Sequence, residues 1–298
     1  MKHCSKILIA GHGYLGEPLA QELVADGHTV FAITKSVGDA NANPNANPNG
    51  YPLISCDLGN TAAVQTIDFE PEIVIHCASS NRGGAEAYRS VFRDGIDNLH
   101  NAFPDSHIFL TSSTSVYGQT DGSEVDEESP AQPDRETGHL LREAEENLIR
   151  YQGTVLRLAG IYGPARSVHL KKFLEGTASI ETGEISRYLN QIHLDDIISA
   201  IKHLISLDAR TQTRGHIYNI ADDTPMTQRE CYEGLAAIFE KPIPDEAEPN
   251  MSRKRAWTNK KISIKKLKSL GWTPNFPSFF DAVKNDPGLV KSAVNTNR

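Results

Sequence analysis

The chain lacks an excess of positive charge, a long apolar run and any close pairing of its cysteines. Its formal net charge is −8, which argues against nucleic acid as a bulk partner. No apolar run approaches the roughly 18 residues needed to span a bilayer, and residues 7–10 are too short a run for a signal-peptide core. We therefore expect a cytoplasmic protein without a membrane partner, and the sequence leaves its oligomeric state open.

The four cysteines, at positions 4, 56, 77 and 231, are far apart and form no C-x-x-C pair. This spacing predicts reduced thiols and no metal site. Residues 41–49 form a tandem Asn-Ala-Asn-Pro repeat, whose composition favours turns. We assign the repeat no catalytic role, and the sequence leaves open whether it is native or an inserted epitope.

Strand and helix patterns alternate through the first half of the chain. Nearly continuous apolar strands that alternate with helices predict an α/β fold, a doubly wound parallel (Rossmann) sheet. The alternation loosens after residue 163. We therefore predict a dinucleotide-binding domain at 1–163 and a smaller C-terminal substrate lobe at 164–298, packed as one compact body. The predicted strands are 6–10, 29–33, 51–55, 72–77, 107–111, 154–158 and 216–220.

A glycine motif, G-x-G-x-x-G, joins the first strand to the first helix. Gly11 would permit the tight turn, Gly13 the approach of a pyrophosphate, and Gly16 the close packing of helix and sheet. Tyr14 and Leu15 complete the loop, which faces the phosphates with the positive end of the helix dipole. This pattern predicts dinucleotide binding, and a purely structural turn is the alternative.

The second strand ends in Thr34-Lys35-Ser36. NAD-selective sites usually carry Asp or Glu at this place, about 20 residues past the glycine loop, to bond the ribose hydroxyls. Here two hydroxyls and one ammonium group can bind a 2′-phosphate instead. The sequence therefore favours NADP over NAD as the cofactor.

Six further motifs, in the expected order, resemble the extended short-chain dehydrogenase/reductase family, which includes nucleotide-sugar epimerases and dehydratases. The motifs lie at residues 56–58, 75–79, 111–118, 156–164, 191–197 and 270–274. The resemblance implies that Asp57 and Leu58 lie beside the adenine. It also implies that Cys77, Ala78 and Ser79 flank the cofactor.

The chain departs from the family at the catalytic pair Tyr-x-x-x-Lys. Alignment of the helix near residue 140 places Thr137 at the Tyr position and Leu141 at the Lys position, and no Tyr occurs between Tyr117 and Tyr151. The family's Asn in the helix after the fourth strand is replaced by Phe92. The glycine motif also differs from the extended group's usual G-x-x-G-x-x-G. The chain is therefore interpreted as an atypical member.

Two catalytic candidates remain. Ser113 matches the family's Ser/Thr that bonds the substrate oxygen, with a strand-ending hydroxyl as the equal alternative. Tyr117 is the nearest phenol that can move a proton, although the corresponding family residue more often packs structurally. His193 and Asp196 are interpreted as capping and hydrogen-bonding groups rather than catalytic ones.

Two functions follow from these observations. The first is an atypical NAD(P)-dependent reductase or epimerase that acts on a small polar or sugar-like substrate, with Ser113 polarising its oxygen. The second is a catalytically silent NAD(P)-binding sensor or interaction protein. The missing pair favours the second function, whereas Ser113 and the substrate-lobe motifs favour the first.

Overall fold

The computed structural model describes residues 4–35, 50–81, 83–182, 186–207, 213–248 and 258–295. Ser36 and the repeat at 41–49 lie outside these residues, so their predicted roles stay predictions. The strands are β1 (Lys6–Ala10), β2 (Thr29–Thr34), β3 (Leu53–Ser55), β4 (Ile73–His76), β5 (His107–Ser113), β6 (Glu124–Val125), β7 (Thr154–Leu158), β8 (Gly160–Tyr162), β9 (Ile180–Glu181), β10 (Tyr188–Leu189), β11 (Gln191–His193), β12 (Ile217–Ile220), β13 (Met226–Thr227), β14 (Glu246–Ala247) and β15 (Lys261–Ile262).

Helices connect and follow these strands, and a π-helical turn at Arg89–Asp94 joins the third helix to the fourth. The helices are α1 (Gly16–Ala25), α2 (Thr61–Gln65), α3 (Ala85–Tyr88), α4 (Gly95–Ala102), α5 (Glu136–Arg150), α6 (Val168–Leu174), α7 (Leu194–Ser206), α8 (Gln228–Phe239), α9 (Lys265–Ser269), α10 (Phe279–Asn285) and α11 (Pro287–Asn295).

Seven strands of the described chain form one parallel sheet, in the order β3-β2-β1-β4-β5-β7-β12. The chain builds outward from β1 through β2 to β3 and then returns to the other side of β1 with β4. Strand order therefore reverses between β1 and β4. In open parallel sheets, ligands bind at the carboxyl ends of the strands beside such a reversal.

The two strands at this reversal are almost completely buried. Ile7 pairs with Val30 on one side and with Ile73 on the other. Every residue of β4 is buried, as is every residue of β1 after Lys6. Strands covered on both faces require continuous apolar sequence rather than alternation, and this is the pattern from which the fold class was predicted. The doubly wound α/β fold is confirmed.

The chain forms two compact units, each assembled from separate segments. Over the described residues, unit 1 is drawn from Met1–Val116, Pro133–Arg157 and Ile201–Tyr218. Unit 2 is drawn from Tyr117–Gln132, Leu158–Ala200 and Asn219–Arg298. These units do not follow a single boundary at residue 163, so the predicted division into domains 1–163 and 164–298 stays a prediction about function.

Unit 2 has its own apolar core. Helices α6, α8, α10 and α11 contribute most of it. Helix α8 begins with a capping box, in which Thr227 and Glu230 bond each other's backbone N–H groups. The core contains Tyr162, Leu170, Phe173, Ile180, Leu189, Met226, Cys231, Tyr232, Leu235, Ala236, Phe279, Ala282, Val283, Leu289 and Ala293.

One predicted element of this region is wrong. The lysine-rich pattern of residues 259–270, closed by Gly271, indicates a single basic helix. The structure instead has strand β15 followed by the short helix α9. Lys261 and Ile262 pair with β6, and backbone bonds from Asn259, Lys261 and Ser263 extend this pairing. The tertiary partner strand therefore outweighs the helical pattern of the lysines.

Among the described residues, no helix is both long and apolar enough to cross a membrane.

Candidate functional site

The glycine loop lies at the carboxyl end of β1, beside the strand-order reversal. Gly11 adopts a φ of +115°, and a Cβ there would lie 2.3 Å from the backbone N of Ala78. A Cβ on Gly16 would lie 1.9 Å from Gly11 O. Backbone packing therefore requires both glycines, as their predicted roles in the turn and in helix packing suggested.

Gly13 has a different environment. It is exposed, and a Cβ added there would meet no atom of the described residues within 4 Å. Nothing in the fold itself requires glycine at this position. Open space beside the loop backbone is what the close approach of a pyrophosphate needs.

Helix α1 begins directly behind the loop. Its N-cap, Leu15, is buried and provides no side-chain cap bond, and Tyr14 lies in the turn before it. Glu17 N donates to Gly13 O, which fixes the loop against the first helical turn. The N-terminal N–H groups and the helix dipole together favour an anion at this end of α1.

The loop is also held to the end of β2. The backbone N–H groups of Gly11 and His12 both donate to Ile33 O, at 2.9 and 3.1 Å. In addition, His12 Nε2 lies 2.7 Å from Tyr51 Oη. Burial lowers the pKa of His12 below its ordinary value, and burial also raises the pKa of Tyr51 to about 12.

The residues predicted to select the cofactor lie at the same edge. Lys35, one residue past β2, forms an ion pair with Asp57, with Nζ 2.8 Å from Oδ2. This hydrogen bond is the main cause of the lowered pKa of Asp57, whose Oδ1 also accepts a bond from Gly59 N. Thr34 O accepts a bond from Cys56 N. The structure therefore brings Thr34, Lys35 and Asp57 together, and the charge of Lys35 is partly balanced.

The segment after β4 forms the other wall of the loop. Cys77 N donates to Ala10 O at 2.8 Å, and the backbone of Ala78 packs directly against Gly11. Ser79 Oγ accepts a bond from Asn81 N. Leu58 is buried, and its carbonyl accepts a bond from Asn98 Nδ2. These predicted cofactor residues thus lie around the carboxyl ends of β1 and β4, and their contacts with a cofactor stay predictions.

Ser113 is the last residue of β5 and is half-buried. Its Oγ accepts a bond from Ser115 N at 3.1 Å, which is the strand-ending arrangement that the sequence left open. In the described part of the chain, no group accepts a hydrogen bond from the hydroxyl of Ser113. The proton is therefore available for donation to a substrate oxygen.

Tyr117 does not have the environment of an acid/base group. It is 0% exposed, and its hydroxyl donates to Asn219 Oδ1 at 2.9 Å. Asn219 in turn donates from Nδ2 to Ser263 O. This closed arrangement favours the structural alternative, so proton transfer by Tyr117 stays a prediction that the geometry disfavours.

Helix α5 contains the positions aligned with the family's catalytic pair. Leu141 is 3% exposed, so the Lys position is filled by a core side chain. The neighbouring Arg142 is paired with Glu145 and Glu146, and Glu145 also bonds the buried Arg157. These contacts commit the cations near the aligned Lys position to structural pairs.

The acidic and imidazole side chains near β11 are also engaged in packing. His193 is 0% exposed, with Nε2 3.2 Å from Asp286 Oδ2 and Nδ1 accepting a bond from Asp195 N. Asp196 accepts bonds from the backbone N–H groups of Asn275 and Phe276. Their interpretation as hydrogen-bonding groups agrees with these contacts.

Two features of the site were not anticipated from the sequence. One is the bond between His12 and Tyr51, and the other is the burial of Lys260, which donates to Tyr117 O at 2.7 Å. Burial, aided by the charge of Arg187, lowers the pKa of Lys260 to about 8. A polar residue inside a glycine motif was the one available signal for His12. The basic cluster at 260–268 indicated a solvated helix face, and the burial of Lys260 contradicts that prediction.

Comparison with known proteins agrees with this geometry. The NAD dependent epimerase/dehydratase family matches residues 7–221. Protein YeeZ of Escherichia coli is 32% identical over 244 residues, which cover 78% of this chain and 84% of that protein. A solved structure from Methylobacillus flagellatus, described as an epimerase/dehydratase of the NAD-dependent type, is 29% identical with a TM-score of 0.74, and covers 97% of this chain and 98% of that one.

A UDP-glucose 4-epimerase of Thermus thermophilus, solved in complex with NAD, shares the fold with a TM-score of 0.76. Its sequence identity is 19%, and the match covers 98% of this chain and 99% of that one. The chain belongs to the NAD-dependent epimerase/dehydratase family of extended short-chain dehydrogenases/reductases. The family resemblance predicted from the motifs is confirmed.

Proposed function

We propose that the protein binds NADP(H) at its glycine loop and acts as an atypical NAD(P)-dependent reductase or epimerase on a small polar, sugar-like substrate. The observation that carries the proposal is the contrast among the three glycines. Gly11 and Gly16 are required by backbone packing, whereas Gly13 is open on its outer side. A loop that serves only as a turn does not need glycine at position 13.

The residues present fit a dinucleotide. The uncapped N-terminus of α1 and the backbone of Gly13 are suited to a pyrophosphate. Thr34 and Lys35 lie where the adenosine ribose is expected, and the absence of an acid at these positions favours a 2′-phosphate. A nicotinamide group supplies hydride transfer when it is bound. The preference for NADP over NAD is part of the proposal.

The role proposed for Ser113 is to donate its free proton to the substrate oxygen as negative charge develops there. A substrate of the nucleotide-sugar class is supported by the similarity to the UDP-glucose 4-epimerase of Thermus thermophilus. Residues 1–163 are proposed to bind the dinucleotide, and residues 164–298 to bind the substrate.

A catalytically silent NAD(P)-binding protein is the second candidate, and two observations favour it. Leu141 is buried in the core at the position aligned with the family's Lys, and Tyr117 is sealed against Asn219. Neither residue offers a substitute for the missing acid/base pair.

Calorimetric titration with NADPH and NADH tests the binding, and a turnover screen with carbonyl compounds and nucleotide sugars tests the chemistry. Tighter binding of NADPH together with turnover of one substrate class supports the first candidate. Binding without any turnover supports the silent one. If neither dinucleotide binds, both candidates are refuted.

A further inference from the structure

A histidine inside the glycine loop is placed to sense the adenosine end of the cofactor. The backbone N–H of His12 bonds Ile33 O, one residue before the end of β2. Its side chain is half-buried and its Nε2 lies 2.7 Å from the hydroxyl of Tyr51. The backbone of His12 is therefore anchored at the end of β2, which leads directly into Thr34 and Lys35, and its imidazole is held by Tyr51.

The second observation concerns the charge at this edge. Lys35 is the cation expected to meet a 2′-phosphate, but its Nζ lies 2.8 Å from Asp57 Oδ2. The pair is close to neutral as a unit, so it offers a phosphate dianion less attraction than a free lysine would. A phosphate bound here gains more from a second cation, and His12, whose backbone N–H bonds Ile33 O at the end of the same strand, becomes one by taking up a proton.

The hydrogen bond to Tyr51 suits both protonation states of His12. A phenol both donates and accepts, so it can donate to a neutral Nε2 or accept from a protonated one. Tyr51 is 3% exposed and stays protonated because burial raises its pKa to about 12. The imidazole can therefore gain a proton without losing its anchor.

The other charges that act on His12 also permit this change. Burial keeps its pKa below the ordinary value, so the ring is mostly neutral at pH 7 in the free protein. Glu17, in the first turn of α1, raises the pKa and partly opposes the burial. An additional anion within about 4–6 Å raises a histidine pKa by roughly 1–3 units, so a bound phosphate opposes the effect of burial and favours the protonated ring.

We propose that His12, held by Tyr51, selects a dinucleotide with a phosphate on its adenosine ribose by taking up a proton from solvent when that cofactor binds. Binding of NADPH is then linked to protonation, whereas binding of NADH is not. This inference rests on the proposed NADP(H) binding, and it adds a residue and a proton to that binding. It makes cofactor selectivity depend on pH.

Calorimetry in buffers of different ionisation enthalpy measures the proton directly. At pH 7 we expect the full-length protein to take up protons when it binds NADPH, and close to none when it binds NADH. Affinity for NADPH should rise from pH 8 to pH 6.5, with affinity for NADH nearly constant. The His12→Gln variant should lose the proton uptake and bind NADPH about tenfold more weakly at pH 6.5.

Two further variants separate the proposal from general effects. Tyr51→Phe keeps the ring but removes the anchor, so it should reduce both proton uptake and NADPH affinity. His216→Gln is the matched control, because His216 is exposed and precedes β12, at the opposite edge of the parallel sheet. It should behave as the parent protein does.

The outcomes are distinct. If NADPH binds more tightly than NADH but without proton uptake, or if His12→Gln leaves the uptake unchanged, the role of His12 is refuted while the proposed cofactor preference survives. If neither dinucleotide binds to the parent protein, the proposed function fails and the inference fails with it. Should His12→Gln not fold, Tyr51→Phe takes its place, and proton uptake that is unchanged in that variant refutes the role of His12.

Discussion

The three glycines of the loop allow cofactor binding to be separated from folding. Gly13 is the perturbation of choice, because a side chain there meets no protein atom within 4 Å. We expect Gly13→Val to fold normally and to lose dinucleotide binding. Gly16→Ala, in the same loop, is expected to lower the stability of the fold.

The magnitudes follow from the environment of each Cβ. At Gly13 the backbone conformation is ordinary and the space is open, so the free energy of unfolding should change by no more than about 0.5 kcal/mol. At Gly16 the new Cβ would lie 1.9 Å from Gly11 O. Because that neighbour is backbone and cannot rotate away, we expect a loss of about 1–3 kcal/mol or more.

Binding, in contrast to stability, should be affected strongly by the change at position 13. A valine at position 13 would occupy the space that a pyrophosphate requires, so NADPH affinity should fall by at least about a hundredfold, or about 2.8 kcal/mol. The milder Gly13→Ala should give an intermediate loss. Urea unfolding measures the first quantity, and fluorescence titration with NADPH measures the second.

The reasoning has a clear refutation. If Gly13→Val binds NADPH as tightly as the parent protein, the open space beside Gly13 is not the pyrophosphate site and the loop is only a structural turn. If Gly13→Val unfolds instead, the assignment of a free Cβ direction is wrong. A stable Gly16→Ala protein would contradict the packing argument for α1.

Four other predictions address charge, chemistry and stability. Lys35→Asp should weaken NADPH by about tenfold or more, with NADH unchanged or improved; equal calorimetric affinities of the parent protein for the two cofactors would contradict it. Ser113→Ala should cost about 2 kcal/mol of transition-state stabilisation with NADPH affinity unchanged, and turnover that survives this change would disprove the assignment of Ser113. Glu145→Ala should lower the free energy of unfolding by about 3–5 kcal/mol, because it leaves the buried Arg157 without its carboxylate; a loss below 1 kcal/mol in urea unfolding would show that the pair is dispensable. Burial, aided by Arg214, lowers the pKa of His107 to about 3. Below about pH 6.5 this imidazole takes up a proton in the unfolded chain but stays neutral in the folded protein, so the free energy of unfolding should fall by about 1.4 kcal/mol per pH unit as the pH drops from 6.5 toward 3. His107→Gln should flatten this slope in pH-dependent unfolding curves.

The sheet could be predicted because its signals are local. Each strand is a short apolar run bounded by polar or glycine residues, and the predicted strand at 154–158 coincides with β7. The strand predicted at 51–55 is shorter in the structure, because only Leu53–Ser55 pairs with β2. The glycine loop was equally readable, since its function depends on residues that follow one another.

The contacts that refine the site join residues far apart in sequence. His12 and Tyr51 are separated by 39 positions, and Lys35 reaches Asp57 across a strand. Such pairs depend on register and on side-chain direction, which no single-sequence pattern encodes. The sealing of Tyr117 by Asn219, 102 positions away, was hidden for the same reason.

The burial of Leu141 also limits which side chains position 141 can accept. A lysine at this position would have to bring an ammonium group into a place that is now filled by hydrocarbon, at a cost of several kcal/mol for an unpaired charge. Thr137→Tyr and Leu141→Lys together would give the chain the residue types of the family's pair, but the single variant Leu141→Lys would be destabilised. Packing therefore opposes the introduction of this pair: as long as the core encloses position 141, a lysine there lowers the stability of the protein before it can contribute to any chemistry.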